Sequence, residues 1–332
     1  LNTGLWRGIL MQFTSRLILN TSIAAAFALV VSMIEFSCPP VFAGDASSNL
    51  QYDNDPTLNK IRFLLQEKRF DEAKPILDAF LKKNPHRAMA LVFRARCFVD
   101  ANKYKEAIQD LKAAEKVEPT NSKIYAEEAD IYAMQKQFDN GIEAATLAIK
   151  YRQGKPDKNI FHSRSMMYSA KGQFSKAVED MDSFLKIDPG KSKAYMWRAT
   201  AYEQAGQLGK ALIDYETALK KSNSYEYRFH IARILEKQGK FREGIEEMTA
   251  VIKQNPEEDE AWNRRGTLYC KIGNYKEAVS DYTKALATSY GSQETIYRAR
   301  GKAYEKLGQK DLAQKDFKKA EELQKKPTVS PI

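Results

Sequence analysis

The side chains in this 332-residue sequence that could do chemistry are three histidines, three cysteines and many carboxylates. His86, His162 and His230 stand apart, and none has Cys, His or carboxylate partners at metal-ligand spacing. Gly-Gln-Phe at 172–174 and Gly-Lys-Phe at 239–241 read as turns, not as phosphate loops. No nucleophile elbow is present. Most carboxylates fall on solvated helix faces. The expectation is therefore no catalytic residue, no metal site, no cofactor and no enzyme.

One pairing of charged types does recur. Arg94, Arg164, Arg198, Arg265 and Arg300 are followed sixteen residues later by Asp110, Asp180, Asp214, Asp281 and Asp316. Where the Arg is replaced, the Asp is replaced too: Lys60 meets Ile76, Glu128 meets Ala144, and Ile231 meets Glu247. Co-occurrence within one chain implies contact, so an ion pair joining two helices is expected at each of the five places.

The elements that hold these pairs show best in residues 261–286. Trp262, Gly266 and Tyr269 share one helical face, Gly273 interrupts, and Tyr275, Ala278, Tyr282 and Ala285 form a second stripe. Spacings of three and four mean amphipathic helices, and the Gly marks a tight turn between them. The same frame fits on Ala313, Ala211, Ala177, Ala107 and Ala73, with Gly244 and Gly141 in the alanine's place in two further copies. Eight copies result, beginning at Asn54, Ala88, Ser122, Lys158, Ser192, Tyr225, Asp259 and Glu294. A helix–turn–helix of about 34 residues with this pattern of aromatic and small residues resembles the tetratricopeptide repeat. The resemblance covers about residues 54–327. It implies an all-α fold, an α-solenoid of eight helix–turn–helix repeats forming a right-handed superhelix, with the first helix of each repeat lining the concave side.

The resemblance also implies a peptide-binding groove, formed by the second, fifth, ninth, twelfth and thirteenth residues of each first helix. Here these include Met89, Val92, Arg96 and Val99, then Ala126, Asp130 and Met134. His162 and Met166, Met196, and Phe229 with Arg233 continue the track. The groove reads as apolar and methionine-bearing in its N-terminal half and charged in its C-terminal half. The Lys and Asn pair of the family's chaperone-tail clamps is absent, since Leu58 and Arg62, Val92 and Arg96, and Phe229 and Arg233 take those places. The expected function is a non-enzymatic scaffold or adaptor for a peptide or protein segment. A membrane-anchored assembly factor for an envelope complex is the alternative, and nucleic-acid binding a third reading.

The ends read differently from the repeats. From Met11 the chain resembles an export signal, with Arg16, the apolar run Ile23–Val31, Pro39 and Pro40, and small residues around a cleavage point after Ala43. Residues 1–43 are thus expected to be a signal peptide or signal anchor, 44–53 a polar linker and 328–332 a disordered tail. The expected location is periplasmic or secreted, or membrane-anchored if cleavage fails. The formal net charge is +10, but both signs are interspersed, as in Lys318-Lys319-Ala320-Glu321-Glu322, which reads as a solvated helix surface. Cys97 and Cys270 lie five repeats apart and are expected to stay free thiols, because a solenoid keeps distant repeats from touching.

Overall fold

The computed structural model describes residues 55–288 and 293–325. Residues 1–43, expected to be a signal, 44–53, expected to be a linker, Asn54, and 328–332, expected to be a tail, lie outside the described residues. Those described form sixteen α-helices and no strand. They divide into two compact units, one running to Pro189 and the other starting at Gly190.

The N-terminal unit contains α1 (Pro56–Gln66), α2 (Phe70–Lys83), α3 (Ala88–Asp100), α4 (Tyr104–Val117), α5 (Ser122–Met134), α6 (Phe138–Tyr151), α7 (Lys158–Ala170) and α8 (Phe174–Ile187). The C-terminal unit contains α9 (Ser192–Gln204), α10 (Leu208–Ser222), α11 (Glu226–Lys237), α12 (Phe241–Gln254), α13 (Asp259–Lys271), α14 (Tyr275–Thr288), α15 (Gln293–Lys306) and α16 (Lys310–Lys325). Odd-numbered helices are the first, and even-numbered the second, of successive pairs. Their starts fall within one residue of the sequence frame wherever that frame is described.

Each pair closes through a turn with one left-handed residue. Lys68, Asn102 and Lys136 have φ of 57°, 56° and 59°, and Gly172 and Gly273 have φ of 70° and 82° at the same place in later pairs. The amide after the left-handed residue bonds back into the helix, as Gln137 N does to the Tyr132 carbonyl at 2.8 Å. This is the Schellman closure, in which Gly fits best and Lys is strained. Between pairs, Pro85, Pro119, Pro189 and Pro256 lie in the turns that end the second helices. Residues 153–156 form an exposed loop before α7, and Asp157 caps that helix through Asn159 N at 3.0 Å.

Within each unit, second helices pack between their own first helix and the first helix of the next pair. That places small residues against large ones. A Cβ added to Gly141 of α6 would lie 2.4 Å from Met167 Sδ of α7, and one on Gly244 of α12 would lie 3.1 Å from Leu268 Cδ1 of α13. Cys97 occupies the same place on α3 as Met167 does on α7, and it is buried at 3% exposure, with its thiol pushed up to about 11 by burial. Phe63 of α1 is the exception at 54% exposure; among the described residues no helix precedes α1 to cover it. Cys97 and Cys270 are both free.

The five Arg–Asp pairs are all formed. Arg94 donates Nε and Nη2 to the two carboxylate oxygens of Asp110 at 2.7 and 2.8 Å. The same fork joins Arg164 to Asp180, Arg198 to Asp214, Arg265 to Asp281 and Arg300 to Asp316, at 2.6–2.9 Å. The third guanidinium nitrogen reaches backwards. Nη1 of Arg94 bonds Asp78 at 3.2 Å, and those of Arg164, Arg265 and Arg300 bond Thr146, Thr249 and Thr283 at 2.9, 3.0 and 3.0 Å. One arginine therefore joins three helices. Aromatic rings flank it: Arg265 lies 4.9 Å from the Trp262 ring and 5.8 Å from that of Tyr269.

The exceptions follow the same logic. In α5 the arginine is Glu128, and Lys112 of α4 donates to it at 3.2 Å, so the charges are reversed. Glu128 is 1% exposed and its Oε1 has no hydrogen-bond partner; burial pushes its carboxyl up against the pull of Lys112. In the α11–α12 pair the bridge moves one turn earlier, to Arg228 and Glu247 at 2.6 Å.

Asp281 is 5% exposed and Arg265 14%, so removing one partner strands a buried charge. Asp281→Ala is expected to cost about 3–5 kcal/mol, and Arg265→Met with Asp281→Leu much less. Urea unfolding of the three proteins checks this; a single-mutant cost under about 1 kcal/mol would make the pair an ordinary surface bridge. Packing yields a second expectation. Gly141→Ala gains about 1 kcal/mol in helix propensity but collides with Met167, so it should destabilise alone and be rescued by Met167→Ala. Stabilisation by Gly141→Ala alone would contradict the close approach.

Candidate protein-binding face

The groove positions lie on the first helices, and in the N-terminal unit successive first helices touch: α1 meets α3, α3 meets α5, and α5 meets α7. Arg96 on α3 donates Nε to Glu127 on α5 at 2.9 Å, and its Nη2 also bonds that carboxylate. Asp130 on α5 accepts from Ser163 Oγ on α7 at 3.2 Å. Both contacts run from the ninth residue of one first helix to the sixth of the next. The sixth position is not among those assigned from the resemblance, which is why Glu127 and Ser163 were missed. The charge complement of Arg96 and Glu127, 31 residues apart, was the available signal.

The apolar members of the track are less available than the sequence implied. Val92 is buried at 1% and belongs to the core. Met89 and Val99 pack half-buried against that core, and Ala126 against the core of the next pairs. Apolar side chains at helical spacing fill the seam between neighbouring helices, and these do so. Met134 stays exposed at 39%, and Met166 is half-buried. The N-terminal half is thus a polar ladder with methionine beside it, not an apolar strip. His162 is held neutral, burial lowering it to about 4.

In the C-terminal unit the ladder runs from α9 to α11. Glu203 accepts from Arg233 and Lys237, each at 2.7 Å, and from Tyr215 Oη at 3.2 Å. Burial pushes Glu203 up, but the two cations outweigh it and hold the carboxyl below its ordinary value. His230 stacks on Tyr215 with ring centres 4.8 Å apart, and burial lowers it to about 3. Met196 packs half-buried against the core cluster that contains Tyr215, and Phe229 beside Tyr225. No group of three or more His, Cys, Asp or Glu among the described residues could hold a metal ion. No described helix is long and apolar enough to cross a membrane.

Residues 58–122, 98–157 and 168–226 match one tetratricopeptide repeat profile, 225–258 match a second, and 257–326 a third. The chain belongs to the tetratricopeptide repeat family. It is 27% identical to Tetratricopeptide repeat protein 6 of Homo sapiens over 176 residues, 52% of this chain and 34% of that protein. It is 21% identical over 291 residues to the DnaJ homolog subfamily C member 7 homolog of Schizosaccharomyces pombe, 78% of this chain and 61% of that protein. The chain thus spans about a third and about three fifths of these two relatives. Among solved structures, a tetratricopeptide repeat protein from Parabacteroides merdae superposes with a TM-score of 0.53 at 25% identity, over 71% of this chain and 93% of that one. The C-terminal part of a TPR repeat-containing protein from Cytophaga hutchinsonii gives 0.60 at 16% identity, over 70% and 98%, a likeness of fold.

Asp130 gives this tetratricopeptide repeat face a pH dependence. Burial pushes its carboxyl up to about 8, Glu127 adding to the rise while Ser163 and Arg96 oppose it. The folded value stands above the unfolded one of about 3.9, so the folded state favours the protonated form. That contribution is fully present below about pH 4 and is lost as the pH rises through about 8. Asp130→Asn lacks this slope. Its unfolding midpoint should gain on the wild type steadily between those limits; a constant difference would show that Asp130 ionises normally.

Proposed function

We propose that this tetratricopeptide repeat protein is a non-enzymatic scaffold that holds a segment of a partner protein against its first helices. Tetratricopeptide repeat proteins serve as protein-interaction scaffolds. The observation that carries the reading to a particular face is the division of labour between helices. Second helices are enclosed between two first helices, whereas first helices keep a row of half-exposed polar and methionine side chains bonded from one pair to the next. Flexible methionines such as Met134 and Met166 suit a binder of varied sequences. The charges beside them favour a segment with an acidic end.

The scaffold acts outside the cytoplasm in this reading. Support comes from the apolar run Ile23–Val31 and the small residues before Gly44. N-terminal sequencing of the protein expressed in its host should return Gly44; an intact N-terminus in the cytosolic fraction would refute export.

Met166→Glu combined with Phe229→Glu is the test of the face. Both side chains are half-buried on first helices. The double variant should keep its circular dichroism spectrum and lose at least tenfold in affinity for a partner isolated by pull-down, about 1.4 kcal/mol. Unchanged affinity with an intact fold would place the partner elsewhere.

A further inference from the structure

We propose that the uncovered side of α1 is a second docking surface, one that takes an amphipathic helix of a partner protein bearing a small residue and, five residues later, a carboxylate. It uses side chains other than the groove positions and is independent of the scaffold face proposed above.

Pro56, Lys60 and Phe63 lie four and three residues apart on one side of α1, and all three are exposed. The places of Pro56 and Phe63 are buried in every later pair, as Ala90 and Cys97 are in α3 and Ala261 and Leu268 in α13. Within each unit the cover is the second helix of the preceding pair. Phe63 is the largest side chain at its place, yet it is 54% exposed. The side that every later first helix buries is therefore open on α1 among the described residues.

The later pairs show what fits such a side. The place of Phe63 faces a small residue of the covering helix: Met167 meets Gly141, and Leu268 meets Gly244. The place of Lys60 meets the residue five further along that helix. Arg94 bonds Asp78 at 3.2 Å, and Arg265 bonds Thr249 at 3.0 Å. Where the first-helix charge is reversed, at Glu128, the covering residue is a cation, Lys112 at 3.2 Å. Lys60 forms no hydrogen bond or ion pair among the described residues; Glu72 on α2 is close enough to feel its charge but is forked to Arg69 at 2.7 Å. A cation at this place calls for a carboxylate on the incoming helix. The last described second helix, α16, offers Ala313 and then Lys318 at the two places. Lys318 would face Lys60, so like charge disfavours a second copy stacked end to end and favours a partner helix with Asp or Glu there.

Fluorescence anisotropy with the full chain and two labelled helical peptides tests this. The first peptide has the sequence of α2, Phe70–Lys83, with Ala73 and Asp78 in place. A hydrocarbon staple joins the places of Pro75 and Ala79, which are exposed in the chain. The second peptide is identical except for Lys at the place of Asp78. The wild-type chain should prefer the Asp peptide at least about fivefold, and Lys60→Glu should reverse the preference. Phe63→Ser should weaken binding of the Asp peptide about tenfold. Ile213→Ser, which removes an exposed apolar side chain of α10, should leave it within about twofold. All three substituted positions are exposed, and circular dichroism melts establish that the variants fold. Failure of the wild-type chain to bind the Asp peptide, an unreversed preference in Lys60→Glu, or equal losses from Phe63→Ser and Ile213→Ser would overturn the surface. So would self-association in sedimentation velocity that Phe63→Ser abolishes, which would give this side to a second copy. None of these results bears on the groove, whose own test substitutes Met166 and Phe229.

Discussion

The bidentate fork between an arginine of the first helix and an aspartate of the second is the interaction on which the rest of each unit depends. Helices of 11–16 residues are near the limit of stability in water and persist only by packing on neighbours. Apolar packing supplies the energy but allows sliding. The fork is directional: two parallel N–H···O bonds fix both the distance and the rotation of one helix against the other. Nη1 extends the same constraint to the preceding pair, through Asp78, Thr146, Thr249 or Thr283. The cost of burying the charges is offset by these bonds and by the flanking rings, so the gain is specificity of register more than net stability.

That constraint determines which surface is left over. The arginines and aspartates are spent between first and second helices. First helices meet one another through the shorter ladder of Arg96 with Glu127, Asp130 with Ser163, and Glu203 with Arg233. These contacts are half-buried, and in the N-terminal unit Met134 and Met166 lie on the same first helices as Asp130 and Ser163. A polar ladder that can exchange internal bonds for bonds to a ligand suits a face that must open to a partner. The α5–α6 pair is one of three departures: Glu128 and Ala144 stand where the fork would be, and Glu128 keeps one carboxylate oxygen without a donor.

The sequence frame carried most of the fold, because a period near 34 repeats the same geometric problem many times. Helix starts, the turn at Gly273 and all five Arg–Asp contacts could be read from spacing alone. What could not be read were contacts between pairs. The third arm of each arginine depends on how second helices stack on the next first helix. The ladder depends on the sixth position of the first helix, which a single-repeat view does not connect to the ninth position of its neighbour. Val92 shows the opposite error. Its position suggested a groove, but its side chain is buried in the core cluster formed by the first five helices. The small-for-large exchange of Gly141 with Met167 was likewise visible only once α6 and α7 were seen to touch.

The central claim is that second helices build the scaffold and first helices meet the partner. Hydrogen–deuterium exchange of the full chain, alone and bound to a partner purified from the native host, tests it directly. The account predicts slower exchange on binding in α3, α5, α7, α9 and α11, with the second helices α4, α6, α8, α10 and α12 unchanged. Protection confined to the second helices, with the first helices unaffected, would contradict it.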